Sequence, residues 1–73
     1  MPLYYLKGGE SILEKLKQIR EERNLSKTYM AKKLGLSLQG YRHLENGSVR
    51  MSADRILAIS KILGVDVTIF FEQ

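Results

Sequence analysis

The chain has 73 residues, no cysteine, one histidine and a formal net charge of +4. A single thin domain is expected, because a chain this short buries only about 60% of its unfolded surface. The composition excludes a disulfide scaffold and a zinc site made of Cys and His, and no apolar run nears the roughly 20 residues of a membrane span.

The opening stretch MPLYYL is too short and too polar for a signal-peptide core. A soluble, cytoplasmic protein without cofactor or metal is therefore expected. The basic surplus is local. Residues 24–55 carry Lys27, Lys32, Lys33, Arg42, Arg50 and Arg55 against Glu45 and Asp54, whereas the remainder balances six basic against six acidic residues. An excess confined in this way suits a polyanion.

In chain order, residues 1–9 read as an N-terminal arm, with LYYLK ahead of a Gly8–Gly9 hinge. Residues 11–24 then predict a first helix. Ser11 and Glu14 have the spacing of a capping box. Ile12, Leu16 and Ile19 repeat at helical spacing, and Asn24 suits a left-handed stop. Arg20 lies beside the apolar face, an unusual place for a charge.

Ser26 is the N-cap of a second helix, whose inner face is Met30, Ala31 and Leu34 with Tyr29 on its shoulder, and Gly35 stops it. Ser37 restarts the chain, and a third helix runs to Leu44 or Glu45. A loop containing Arg50 follows. Ser52 caps a fourth helix with Asp54 in its first turn, a stripe of Ile56, Ile59 and Leu63, and Gly64 at its end. Residues 66–73 suit either a short helix opened by Asp66 or a strand. In the second case they pair with residues 3–7, within one chain or across a dimer.

At 100° per residue, Tyr41 and Leu44 define the buried side of the third helix, and Gln39, Arg42, His43 and Asn46 lie opposite, with Leu38 on the shoulder. Gly40 falls near the buried side, where close approach of the second helix, with Ala31 as neighbour, accounts for a residue costing roughly 1 kcal/mol in a helix. A projecting helix about 10–12 Å wide fits the major groove of B-DNA. Gln39 can bond bidentately to adenine, Arg42 can reach guanine or a phosphate, His43 can donate or accept, and Leu38 can touch a thymine methyl. Ser26, Lys27 and Ser37 at helix starts, and Asn46, Ser48 and Arg50 beyond the third helix, are the candidate phosphate contacts. No nucleophile or paired acid accompanies His43 at a catalytic spacing, so an enzyme is not expected.

The stretch LSKTYMAKKLGLSLQGYRHLENG, continued by ILAISKILGV, resembles the Cro/Xre-type, lambda-repressor-like helix-turn-helix family. The shared positions are Leu25-Ser26, Ala31, Leu34-Gly35, Ser37 and Leu44-Glu45-Asn46-Gly47, and the likeness covers residues 12–65. It implies a mainly α, four- to five-helix bundle whose third helix reads double-stranded DNA, usually as a homodimer on a palindromic site. It also implies a structural ion pair between Arg20 and Glu45. Lys27 stands where the family has glutamine, Gly40 where it has serine or threonine, and Tyr41 where it has an aliphatic residue. Tyr4, Tyr5, Phe70 and Phe71 lie outside the strong likeness and are the candidate dimer or partner contacts. A repressor is the function expected. The alternative is an antitoxin-like or adaptor module in which the fold holds another protein, and a restriction-modification controller is a near relative of the first reading.

Overall fold

Serine hydroxyls open three of the helices. In the computed structural model, which describes residues 8–71 and their side chains from residue 12 onward, Ser26, Ser37 and Ser52 each take extended backbone angles. Their Oγ atoms accept from the N–H groups of Tyr29 (3.0 Å), Gly40 (3.0 Å) and Arg55 (3.1 Å). Each bond satisfies a donor that the helix itself leaves unpaired, which stabilises by about 1 kcal/mol. The helices are α1 (Gly8–Glu22), α2 (Lys27–Leu34), α3 (Leu38–Asn46) and α4 (Ala53–Leu63), followed by a terminal 3-10 helix (Val67–Phe71).

The helix ends repeat one device. At Gly35, φ is 70°; its N–H donates to Lys32 O, and the N–H of Leu36 donates to Ala31 O at 2.8 Å. This pair of crossed bonds needs a left-handed residue, and glycine adopts that conformation without steric cost. Asn24, with φ 58°, closes α1 in the same way through Asn24 N–H to Glu21 O and Leu25 N–H to Arg20 O. After Asn24, Gly35 and Gly64 the next residue turns back inward, so Leu25, Leu36 and Val65 pack against the core.

That core comprises Leu16 and Ile19 of α1, Met30 and Ala31 of α2, Tyr41 and Leu44 of α3, and Ile56, Ile59 and Leu63 of α4, closed by Phe70. Burying each large apolar side chain contributes roughly 1.5–3 kcal/mol. Lys15 of α1 and Arg23, just beyond it, reach carbonyls far along the chain: Arg23 Nε donates to Leu63 O at 2.7 Å, and Lys15 Nζ donates to Ile69 O at 2.8 Å.

Three expectations are corrected and one alternative is decided. Helix α1 begins at Gly8, so the Gly8–Gly9 pair is helical and Ser11 lies inside the helix instead of capping it. Of the two alternatives left open for residues 66–73, the short helix is the one present, a 3-10 helix over Val67–Phe71. Asp66 starts it, its Oδ1 accepting from Thr68 N–H (2.9 Å) and Thr68 Oγ1 (2.8 Å), and that local turn overrides the β preference of the residues that follow. Phe70 is not a surface contact: it is 1% exposed, sunk where the 3-10 helix meets α1 and α4, while Phe71 is 60% exposed. A side chain at Gly40 would meet Ser37 Oγ at 3.2 Å and Leu36 Cβ at 3.8 Å, so the crowding there comes from the turn and not from Ala31. Tyr4, Tyr5 and residues 3–7 lie outside the described residues.

Candidate nucleic-acid interface

Helix α3 is fixed on one side and open on the other. Tyr41, Leu44 and Glu45 face inward, at 0%, 5% and 9% exposure. Gln39, Arg42 and Asn46 are exposed, and Leu38 and His43 are half-buried. The amphipathic arrangement expected at 100° per residue is thus present.

A buried ion pair mounts the helix. Arg20 Nε donates to Glu45 Oε2 at 2.9 Å and Arg20 Nη2 donates to Glu45 Oε1 at 3.0 Å, while Arg20 Nη1 donates to Leu25 O at 2.8 Å. One guanidinium therefore joins α1, α3 and the segment leading into α2. The hydrogen bond to Glu45 holds the arginine more firmly protonated than usual, against the opposing effect of burial. Tyr41 Oη is buried beside this pair without a hydrogen-bond partner of its own. Burial is the chief cause that pushes its phenol well above the ordinary tyrosine range.

Ser26 and Ser37 keep their hydroxyl protons free while their oxygens cap α2 and α3. The first N–H groups of α2, at Lys27 and Thr28, have no intrahelical acceptor and can meet an anion. Beyond α3 the backbone is spent internally. Gly47 N–H donates to Leu44 O, and Ser48 N–H is shared between His43 O and Asn46 Oδ1. Asn46 and Ser48 therefore have only a side-chain amide N–H₂ and a hydroxyl to offer a phosphate.

Lys27, Arg42 and Asn46 line one concavity of about 230 Å³ together with Glu45 and Lys17. Arg50 is not part of it. It lines a separate, largely apolar hollow with Ile12, Leu13, Gly47, Val49 and Met51. Lys17 escaped the sequence reading. Its signal is its place three residues before Arg20, one helical turn along the edge that faces α3. Among the described residues no group of His, Cys, Asp and Glu could hold a metal ion, and no helix is long and apolar enough to cross a membrane.

The profile of the helix-turn-helix family matches residues 16–70. The Uncharacterized HTH-type transcriptional regulator y4wC of Sinorhizobium fredii is 36% identical over 60 residues, covering 82% of this chain and 42% of that protein. The chain thus spans less than half the length of this relative. No solved structure gave a significant match. With its serine-capped α2 and α3 joined at Gly35, and residues 16–70 matched, the chain belongs to the Cro/Xre-type helix-turn-helix family of DNA-binding proteins.

Proposed function

We propose that the protein is a sequence-specific transcriptional regulator of double-stranded DNA, a cytoplasmic repressor acting as a homodimer on a palindromic operator. Helix α3 enters the major groove. Gln39, with His43 and Leu38, reads base edges and Arg42 reaches guanine or a phosphate, while Ser26, Lys27, Ser37 and Asn46 hold phosphates, with Ser48 and Arg50 at the periphery. The observation that carries this reading is the exposure of Gln39 and Arg42 on a helix whose opposite side is locked by Tyr41, Leu44 and the Glu45–Arg20 pair. Rigid mounting lets a side chain discriminate bases, because the ordering cost is met before binding. The Sinorhizobium relative, named as a transcriptional regulator, supports the same assignment.

Selection of bound duplexes from a random pool tests it. The expected product is a palindromic motif whose half-sites are centred one helical turn apart, roughly 34–36 Å. A bound pool with no shared motif overturns sequence-specific recognition, and an asymmetric motif bound by a monomer in light scattering overturns the homodimer.

A second reading, an antitoxin-like or adaptor module, is favoured by the exposed apolar side chains of Leu57 (45%) and Phe71 (60%). Another protein seated there, with DNA binding secondary, is its signature.

A further inference from the structure

We propose that Lys17 of α1, Lys27 of α2 and Arg42 of α3 together hold a single backbone phosphate of the duplex, with Lys17 an essential member of the site. This rests on α3 being the groove helix and adds a contact from outside the helix-turn-helix itself. The three cations come from three different helices yet share the walls of one concavity, of about 230 Å³, which accommodates a phosphate group.

Like charges gathered on one small surface repel, and a bound anion relieves that repulsion. The carboxylate in the same wall, Glu45, does not do so. Both its oxygens already accept from Arg20, so its charge is spent on the buried side. Glu14 and Glu21 flank Lys17 on α1 at three and four residues. Neither forms an ion pair with it, and among the described residues no carboxylate pairs with Lys27 or Arg42. The unpaired N–H groups at the start of α2 and the free amide N–H₂ of Asn46, whose Oδ1 is occupied by Ser48 N–H, supply donors beside the cations. A phosphate seated here would pin α1 and α3 to the same strand and so set the register of the groove helix.

The test is a fluorescence anisotropy titration over a series of salt concentrations. It uses a labelled duplex recovered from the random pool, a scrambled duplex of the same length, and four proteins: wild type, Lys17→Ala, Lys17→Arg and Lys61→Ala. Lys17 is exposed and so its removal spares the fold, which melting followed by circular dichroism verifies. Lys17→Ala is expected to weaken both duplexes by the same factor and to reduce the slope of log K against log salt by about 0.9 in magnitude. Lys17→Arg restores the slope. Lys61→Ala, which removes a charge from α4 outside the concavity, leaves it near wild type. A wild-type slope in Lys17→Ala, or a loss no greater than that of Lys61→Ala, overturns the site while DNA recognition by α3 stands. Wild-type protein that binds neither duplex overturns the groove reading, and this site with it.

Discussion

Arg20 and Glu45 meet through two parallel hydrogen bonds, 2.9 and 3.0 Å long, with both side chains less than a tenth exposed. The geometry is the fork that guanidinium and carboxylate form best, and it joins α1 to α3. Removing either partner strands a buried charge. Arg20→Ala and Glu45→Ala are each expected to cost about 3–5 kcal/mol in urea denaturation. Arg20→Met with Glu45→Leu, which removes both charges and keeps volume, should recover most of that loss. A double variant as unstable as the singles would show that the pair stabilises by more than mutual neutralisation.

The phenol of Tyr41 makes a different prediction. Its oxygen is buried and unpaired, so Tyr41→Phe should leave stability unchanged or raise it by about 1 kcal/mol. The sign of the pH effect follows from the upward shift, caused chiefly by burial. The unfolded chain loses the tyrosine proton near pH 10 while the folded chain keeps it, so the native state binds more protons above that pH. The native state therefore keeps its stability below about pH 10 and loses it as pH rises further, because the unfolded chain then gains by ionising a phenol that burial keeps protonated. Denaturant midpoints measured from pH 8 to 11 should fall at the alkaline end in the wild type, and fall less in Tyr41→Phe.

Gln39 and Lys27 should separate two kinds of contact. Gln39→Ala is expected to cost about 1–3 kcal/mol on the selected duplex and to relax preference at a single base position. Lys27→Ala should weaken selected and scrambled duplexes alike and lower the salt slope by about 0.9. Binding curves for both variants that match wild type on every duplex would remove α3 from the groove.

Adjacent aromatics at the end of the chain should behave oppositely. Phe70→Ala opens the core between α1 and α4 and is expected to cost about 3–5 kcal/mol. Phe71→Ala, at an exposed site, should alter stability by no more than about 0.5 kcal/mol. Its readout is self-association by analytical ultracentrifugation, where a weaker dimer is expected if Phe71 lies at the subunit contact.

Helix boundaries were legible wherever their chemistry is local. Ser26, Ser37 and Ser52 mark starts and Asn24, Gly35 and Gly64 mark stops, because cap and helix are neighbours in sequence. Ser11 misled for the same reason: a serine three residues before a glutamate has capping spacing wherever it falls, including inside a helix. The 3-10 helix was ambiguous because its fate rests on partners elsewhere. Phe70 needs the groove between α1 and α4, and Ile69 O meets Lys15, 54 residues earlier. The outward face of α3 follows from periodicity alone, but Lys17 is an ordinary surface lysine until three helices are placed around it.

The grip of Arg23 on Leu63 and of Lys15 on Ile69 has a consequence for synthesis. Within this domain, α1 is made before the turns that carry its acceptors, Leu63 and Ile69. Until residue 70 has cleared the exit tunnel, α1 lacks its cover and the apolar sides of Leu16 and Ile19 stay incompletely shielded. Maturation of this small domain is therefore a late, nearly all-at-once event, and a nascent chain arrested before that point would be a ready substrate for chaperones and proteases.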